Sequence, residues 1–95
     1  MITNTLIVTA YCACKLCCGP HASGLTASGV KPAEGITCAA SRSIPFGTRV
    51  YIEGVGYRTV QDRLAKRYDN RIDIFFKRHE DALRFSKQNK NIHIK

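Results

Sequence analysis

Short β-forming segments, each ended by a turn signal, recur along this chain and restrict it to folds built from short strands. Residues 5–11, 36–40, 48–53, 57–62, 71–76 and 91–95 are rich in β-forming side chains and are separated by Gly, Pro, Ser or Asn. Only residues 79–88 carry the apolar spacing of a helix, through Ala82, Leu83 and Phe85. About six short strands and one helix in 95 residues predict a mainly all-β fold, a small closed β-barrel with one short helix near the C-terminus.

The longest interruption between predicted strands, residues 12–32, is rich in Gly, Ser and Cys. Loops of that length in a small domain usually carry function. The sequence contains no internal repeat, and 95 residues are enough for one modest core. We therefore expect a single domain over residues 1–95.

Basic residues outnumber acidic ones by 15 to 7, which gives a formal net charge of +8. This excess favours a polyanionic partner, and the candidates are nucleic acid, anionic lipid and a cell-wall polymer. Nucleic acid is less favoured, because the sequence motifs of its binding domains are absent. No window approaches the roughly 18 apolar residues that span a bilayer. The N-terminal apolar run also lacks the basic residues that begin a signal peptide, so we expect no membrane span and delivery by another route, or as part of a longer protein.

Cysteine is concentrated between residues 11 and 21. The possible metal ligands of this segment are Cys12, Cys14, Cys17, Cys18 and His21. Three interpretations remain open: a structural zinc site based on Cys14 and Cys17 and completed by Cys18, His21, Cys12 or Cys38, disulfide bonds, or a catalytic thiolate with His21 as its base. Five cysteines cannot all pair within one chain. A structural role is favoured over a catalytic thiolate, because no neighbouring acid would orient the histidine. We expect catalysis to require no cofactor.

Two of the seven acidic residues, Asp62 and Asp73, stand out as candidate catalytic groups. In its predicted strand Asp73 shares a face with Phe75, while the isoleucines beside it point the other way. Apolar neighbours raise the pKa of a carboxyl group, which is how an aspartate becomes a general acid near neutral pH. The alternative is an ion pair of Asp73 with a nearby arginine. Asp62 ends the preceding predicted strand, and adjacent antiparallel strands would bring both carboxyl groups into one cleft.

Several motifs occur in the order and spacing of a known domain family. They are Thr9-Ala10-Tyr11, residues 24–29 (GLTASG), residues 44–52 (IPFGTRVYI), Asp62, residues 70–76 (NRIDIFF) and residues 79–85 (HEDALRF). In these motifs the chain resembles the 3D domain, named for three aspartates. That domain is a six-stranded double-psi β-barrel found in membrane-bound lytic transglycosylase A and in muralytic proteins of the stationary-phase-survival type. The resemblance extends from about Thr5 to Ile94.

The resemblance implies cleavage of peptidoglycan at the bond between N-acetylmuramic acid and N-acetylglucosamine, without water, to give a 1,6-anhydro sugar. It makes Asp73 the acid/base and Asp62 the group that orients substrate or stabilises positive charge. It also places Thr9, Tyr11, Thr26 and Ser28 along the substrate cleft. Such a protein would act at the cell wall or in the periplasm, or be delivered by a phage, and its basic surface would hold it on an anionic wall.

The sequence departs from the 3D pattern at two places. The first aspartate of the pattern falls at position 40, which is Ala40 here, and the glycine-rich segment after the second aspartate is replaced by residues 63–67 (RLAKR). Two alternatives to an enzyme follow. One is a non-catalytic glycan-binding module in the manner of expansins. The other is a zinc-stabilised basic protein that binds nucleic acid.

Overall fold

Six β-strands and one α-helix lie in the part of the chain that the structure describes. The structure is a computed structural model that describes residues 2–12, 25–64 and 70–94. The strands are β1 (Ile2–Tyr11), β2 (Thr37–Ala40), β3 (Arg49–Ile52), β4 (Gly56–Arg63), β5 (Arg71–Phe75) and β6 (Gln88–Ile94), and helix α1 is His79–Phe85.

The strands close into a barrel in the order β1-β5-β2-β4-β3-β6, and β6 pairs back onto β1. The pairs β1–β5 and β2–β4 are parallel, whereas the other four are antiparallel. The prediction of a six-stranded closed β-barrel with one short helix near the C-terminus is confirmed.

The boundary between α1 and β6 differs from the sequence prediction. The helix was expected to continue to Gln88, but it ends at Phe85, and Ser86 has a positive φ of 63°. Gln88 already belongs to β6, because it pairs with Val8 of β1. Long-range pairing with β1 therefore takes over residues whose local pattern continued the helix.

The barrel interior is filled by aliphatic side chains that alternate with outward-facing residues along the strands. Among the described residues, the fully buried valines and isoleucines are Val8, Val50, Ile52, Val60, Ile72, Ile74 and Ile92. Each such side chain stabilises the fold by roughly 1.5–3 kcal/mol through removal from water. In β5 the two isoleucines enter this core, so Asp73 between them lies on the opposite face of the strand, as the sequence predicted.

A register shift between β2 and β4 determines where Asp62 points. Cys38 pairs with Val60, but the next residue, Ala39, pairs with Asp62, so one residue of β4 is left over as a bulge. Val60 faces the core, and strict alternation would send Asp62 inward as well. The extra residue instead lets Asp62 face outward, on the same side as Asp73.

Candidate functional site

The two candidate carboxylates lie in one row across three strands. Ala39 of β2 pairs with Asp62 of β4 on one side and with Asp73 of β5 on the other. Neighbouring strands are about 4.8 Å apart, which puts the two aspartate backbones roughly 10 Å apart. The sequence prediction that the two aspartates occupy adjacent antiparallel strands is wrong, because β2 lies between them. The register nevertheless places both aspartates opposite Ala39, on one side of the sheet, and a shared cleft stays a prediction.

Asp73 is placed as a candidate proton donor. Its partner in the β1–β5 pairing is Thr9, whose hydroxyl donates a hydrogen bond of 3.0 Å to Oδ1 of Asp73. The pKa of Asp73 is raised from 3.8 to about 6, mainly by burial. The charge of Asp62 also raises this pKa, whereas the Thr9 hydrogen bond and Arg71 lower it. A substantial fraction of this carboxyl is therefore protonated at weakly acidic pH, which is the condition for general acid catalysis.

Asp62 is held as a hydrogen-bond acceptor. Its Oδ2 accepts from the Tyr11 hydroxyl at 3.0 Å, and its Oδ1 accepts from the backbone N–H groups of Ala27 at 2.8 Å and Arg63 at 2.9 Å. Three donors fix the orientation of this carboxylate and occupy both of its oxygens. The two aspartates therefore differ in environment in the way that acid and charge-stabilising carboxylates differ in glycan-cleaving sites.

Tyr11 connects the strand that supports Asp73 to the carboxylate of Asp62. It lies two residues after Thr9, on the same face of β1, and its ring meets the edge of Phe75 with the centroids 5.5 Å apart. Burial, followed by the charge and hydrogen bond of Asp62, raises the pKa of the Tyr11 hydroxyl far above its usual range. Tyr11 is therefore a neutral, permanent hydrogen-bond donor to Asp62.

The other two predicted cleft residues, Thr26 and Ser28, shape the turn that meets Asp62. The Thr26 hydroxyl is buried and donates to the Val30 carbonyl at 2.9 Å, with the Ser28 hydroxyl 3.0 Å away. The Ser28 N–H donates to the Gln61 carbonyl, which ties the turn to β4. This geometry places the Ala27 N–H against Asp62. Sequence reasoning missed Ala27 because a backbone donor leaves no mark on side-chain identity, although Ala27 lies within the GLTASG motif of residues 24–29.

Position 40, where the 3D pattern has its first aspartate, is apolar and fully buried. Ala40 belongs to the core and pairs with Arg63 across β2 and β4. The Arg63 guanidinium lies over the Phe46 ring at 3.9 Å, and its buried Nη1 has no hydrogen-bond partner among the described residues. An arginine thus lies beside the position at which the pattern has a carboxylate.

The cysteine segment lies mostly outside the described residues, which leaves Cys14, Cys17, Cys18 and His21 as predictions. Of the described cysteines, Cys38 is a buried thiol, and burial raises its pKa to about 12. Cys12 is also buried, and its Sγ lies 3.4 Å from Nδ1 of His79, a contact that the sequence did not suggest. Within residues 2–12, 25–64 and 70–94 no three His, Cys, Asp or Glu side chains form a group that could hold a metal.

The Cys12–His79 separation fits two ligands of one zinc ion. With Zn–S and Zn–N bonds of about 2.3 and 2.05 Å, tetrahedral geometry puts the sulfur and nitrogen about 3.6 Å apart. The structure brings these atoms to 3.4 Å, a distance that an S–H···N hydrogen bond also satisfies. A zinc site would need further ligands beyond this pair.

Comparison with known proteins finds a bacterial relative that is longer than this chain. No protein-family model matches the chain. Over 92 residues, or 96% of the chain, it is 34% identical to a protein of Bacillus subtilis (strain 168) named "Putative cell wall shaping protein YabE". The chain corresponds to 22% of that relative's length. Within the described residues, no helix has the length and apolar character needed to cross a membrane.

The environment of Asp73 predicts a pH-dependent stability effect. Because its pKa is raised from 3.8 to about 6, ionisation disfavours the folded state, and the protein loses stability as the pH rises from about 4 to above 6. Asp73→Asn removes that cost, so we expect the variant to be more stable than the wild type at pH 7.5 by on the order of 2 kcal/mol, with little difference at pH 3.5. Chemical denaturation of both proteins at the two pH values measures this difference in the free energy of unfolding.

The matched control is Asp81→Asn, the same chemical change in the first turn of α1, where the side chain is 38% exposed. We expect it to change stability by less than about 0.5 kcal/mol at either pH. Equal stability of Asp73→Asn and the wild type at pH 7.5 would contradict the assignment of a half-buried Asp73 with a raised pKa.

The zinc interpretation predicts about one zinc ion per chain in protein purified without chelator. We expect Cys12→Ser and His79→Gln each to lower the zinc content, and chelation to lower the melting temperature of the wild type, because ligand binding adds to folding stability. Elemental analysis and thermal melting measure both. His93→Gln, which alters a histidine paired with Glu53 rather than with cysteine, is the control. A metal-free protein whose melting temperature is insensitive to chelator would exclude zinc.

Proposed function

We propose that this chain cleaves the glycan strand of peptidoglycan in the manner of a lytic transglycosylase, with Asp73 as its acid/base. The observation that carries the proposal is the unequal environment of the two aligned carboxyl groups. Asp73 is poorly solvated with a pKa near 6, whereas Asp62 accepts three hydrogen bonds. The similarity to a relative named for cell wall shaping supports the choice of substrate.

The first step would be proton donation from Asp73. Thr9 occupies Oδ1, which leaves Oδ2 to carry the acid proton. This proton passes to the glycosidic oxygen between N-acetylmuramic acid and N-acetylglucosamine while the bond from that oxygen to the muramic C1 breaks. The N-acetylglucosamine leaves with a new hydroxyl group, and Asp73 is left as a carboxylate.

The second step would return the proton to Asp73. The Asp73 carboxylate accepts the proton of the muramic C6 hydroxyl as its oxygen bonds to C1, which closes the 1,6-anhydro ring. No water is consumed, and the enzyme ends in its starting protonation state. Each proton transfer by a positioned carboxyl group contributes about 10²–10⁴-fold to the rate.

Asp62 would act through its charge and its fixed position. The broken bond leaves positive charge on the sugar ring, and a nearby carboxylate held by Tyr11 and Ala27 stabilises that charge without having to reorganise. The formal net charge of +8 would keep the protein on an anionic wall between cleavage events. This function places the site of action at the cell wall.

Digestion of purified peptidoglycan tests the proposal. We expect the wild-type protein to release muropeptides that end in a 1,6-anhydro sugar, identified by mass spectrometry. We expect Asp73→Asn to reduce the rate by at least about 10²-fold, because the amide cannot donate the proton. Asp81→Asn is the control and should retain activity. Soluble products with a reducing end would show hydrolysis and contradict the anhydro mechanism.

The rate of cleavage should fall as the pH rises through about 6, the pKa of Asp73, since only the protonated carboxyl can begin the reaction. Initial rates of anhydro-product release between pH 4.5 and 8 measure this, and the profile should follow a single deprotonation on its alkaline side. A rate that is constant up to pH 8 would assign the acid to another group.

Ala40 favours a second candidate function, glycan binding without cleavage. The position that is acidic in the 3D pattern is here a buried methyl group beside Arg63, so one carboxylate of the pattern is lost. In that case the wild-type protein would sediment with peptidoglycan and release no soluble product. The absence of product release by the wild type separates this candidate from the enzyme, because Asp73→Asn should bind in either case.

A further inference from the structure

A small basic concavity lies on the barrel wall, beyond the two-aspartate row. It has a volume of about 180 Å³, enough for one carboxylate or phosphate group. The residues that line it include two arginines and no acid: Gly35, Ile36, Arg49, Tyr57, Arg58 and Thr59.

Arg58 gives this concavity an unused donor. Arg58 lies on the inward face of β4, paired with Val50 and two residues before Val60, both fully buried. Its Nη1 donates to the Tyr57 carbonyl at 2.8 Å, while its buried Nε has no hydrogen-bond partner among the described residues. Because Arg58 also lines the concavity, an anion there would meet its guanidinium group, and a hydrogen bond from a charged donor is a strong one.

Arg49 adds a second, pre-positioned cation. Its guanidinium carbon lies 4.6 Å from the centre of the Tyr57 ring, and stacking of this kind leaves the edge N–H groups available. In the described ranges neither arginine forms a salt bridge. Glu34, which precedes Gly35 of the lining, instead accepts a hydrogen bond from the Lys77 N–H at 2.8 Å.

The concavity and the two-aspartate row are close enough to meet one extended polymer. Thr59 precedes Asp62 by three residues on β4, and its β2 partner Thr37 precedes Ala39 by two. At about 3.3 Å per residue, the concavity lies roughly 7–10 Å along the strands from the row. That is the scale of one or two sugar units of a glycan strand.

We infer that this concavity, the Arg49–Arg58 site, binds an oxyanion carried by the wall polymer next to the bond at Asp73. The shared chemistry is a carboxylate or phosphate oxygen that accepts from both guanidinium groups. Its source is either a carboxylate on the peptide stems of peptidoglycan or a phosphate of an attached wall polymer. The identity of the polymer depends on the proposed function, whereas anion binding by the two arginines does not.

Titration followed by NMR tests the anion site itself. Acetate and inorganic phosphate are added separately at constant ionic strength, with chloride as the reference, and the Nε–H signals of the arginines are recorded. We expect saturable shifts at Arg49 and Arg58 and none at Arg84, which is exposed on α1. Arg49→Gln should weaken binding about tenfold, and because its side chain is exposed the variant should fold. Equal shifts at Arg84, or no saturation, would overturn the site.

Sedimentation with cell walls tests the source of the anion. The assay uses Asp73→Asn, so that its outcome does not depend on cleavage, and compares intact walls, walls stripped of phosphate polymers and walls stripped of peptide stems. Arg49→Gln and Arg84→Gln are each added to this variant, and both remove one positive charge. We expect Arg49→Gln to reduce retention on intact walls about tenfold more than Arg84→Gln does. Removal of one of the two wall components should abolish that difference. That component supplies the anion. Equal retention of the two variants on intact walls would overturn the inference.

Discussion

The pairing of the four-residue strand β2 with both β4 and β5 determines where the candidate site lies. Ala39 is hydrogen-bonded into the sheet between Asp62 and Asp73, so both carboxyl groups are positioned by backbone pairing rather than by loops. The bulge in β4 completes the arrangement, because it turns Asp62 away from the core. Sites placed on strands hold their geometry better than sites placed on loops.

The first strand supplies the support for both acids. Thr9 and Tyr11 lie two residues apart on one face of β1, and each hydroxyl donates to a different aspartate. Since β1 pairs with β5 on one side and β6 on the other, these two donors are fixed within the barrel wall. Two carboxyl groups of the same type thereby acquire different environments, and the proposed chemistry depends on that difference.

Much of this arrangement was predictable from local sequence patterns. Alternation in residues 71–76 indicated that Asp73 lies on the face opposite the isoleucines, and the turn-separated segments indicated six strands. The position of β2 between β4 and β5 was not predictable, because the order of strands in a closed barrel depends on pairing between residues distant in sequence. The bulge at Asp62, the Ala27 N–H and the Cys12–His79 contact were missed for the same reason, since each depends on residues distant in sequence.

The parallel pairing of β2 with β4 determines which insertions and deletions a related protein could carry without losing the row of aspartates. Because β2 sets the separation of the aspartates, the eleven-residue interval between Asp62 and Asp73 does not itself define the geometry. Insertions or deletions between β4 and β5 would leave the row intact, whereas loss of the bulge at unchanged length, so that Gln61 and Asp62 alternate regularly after Val60, would turn Asp62 into the core. Relatives are therefore better recognised by strand register than by a fixed spacing of acidic residues.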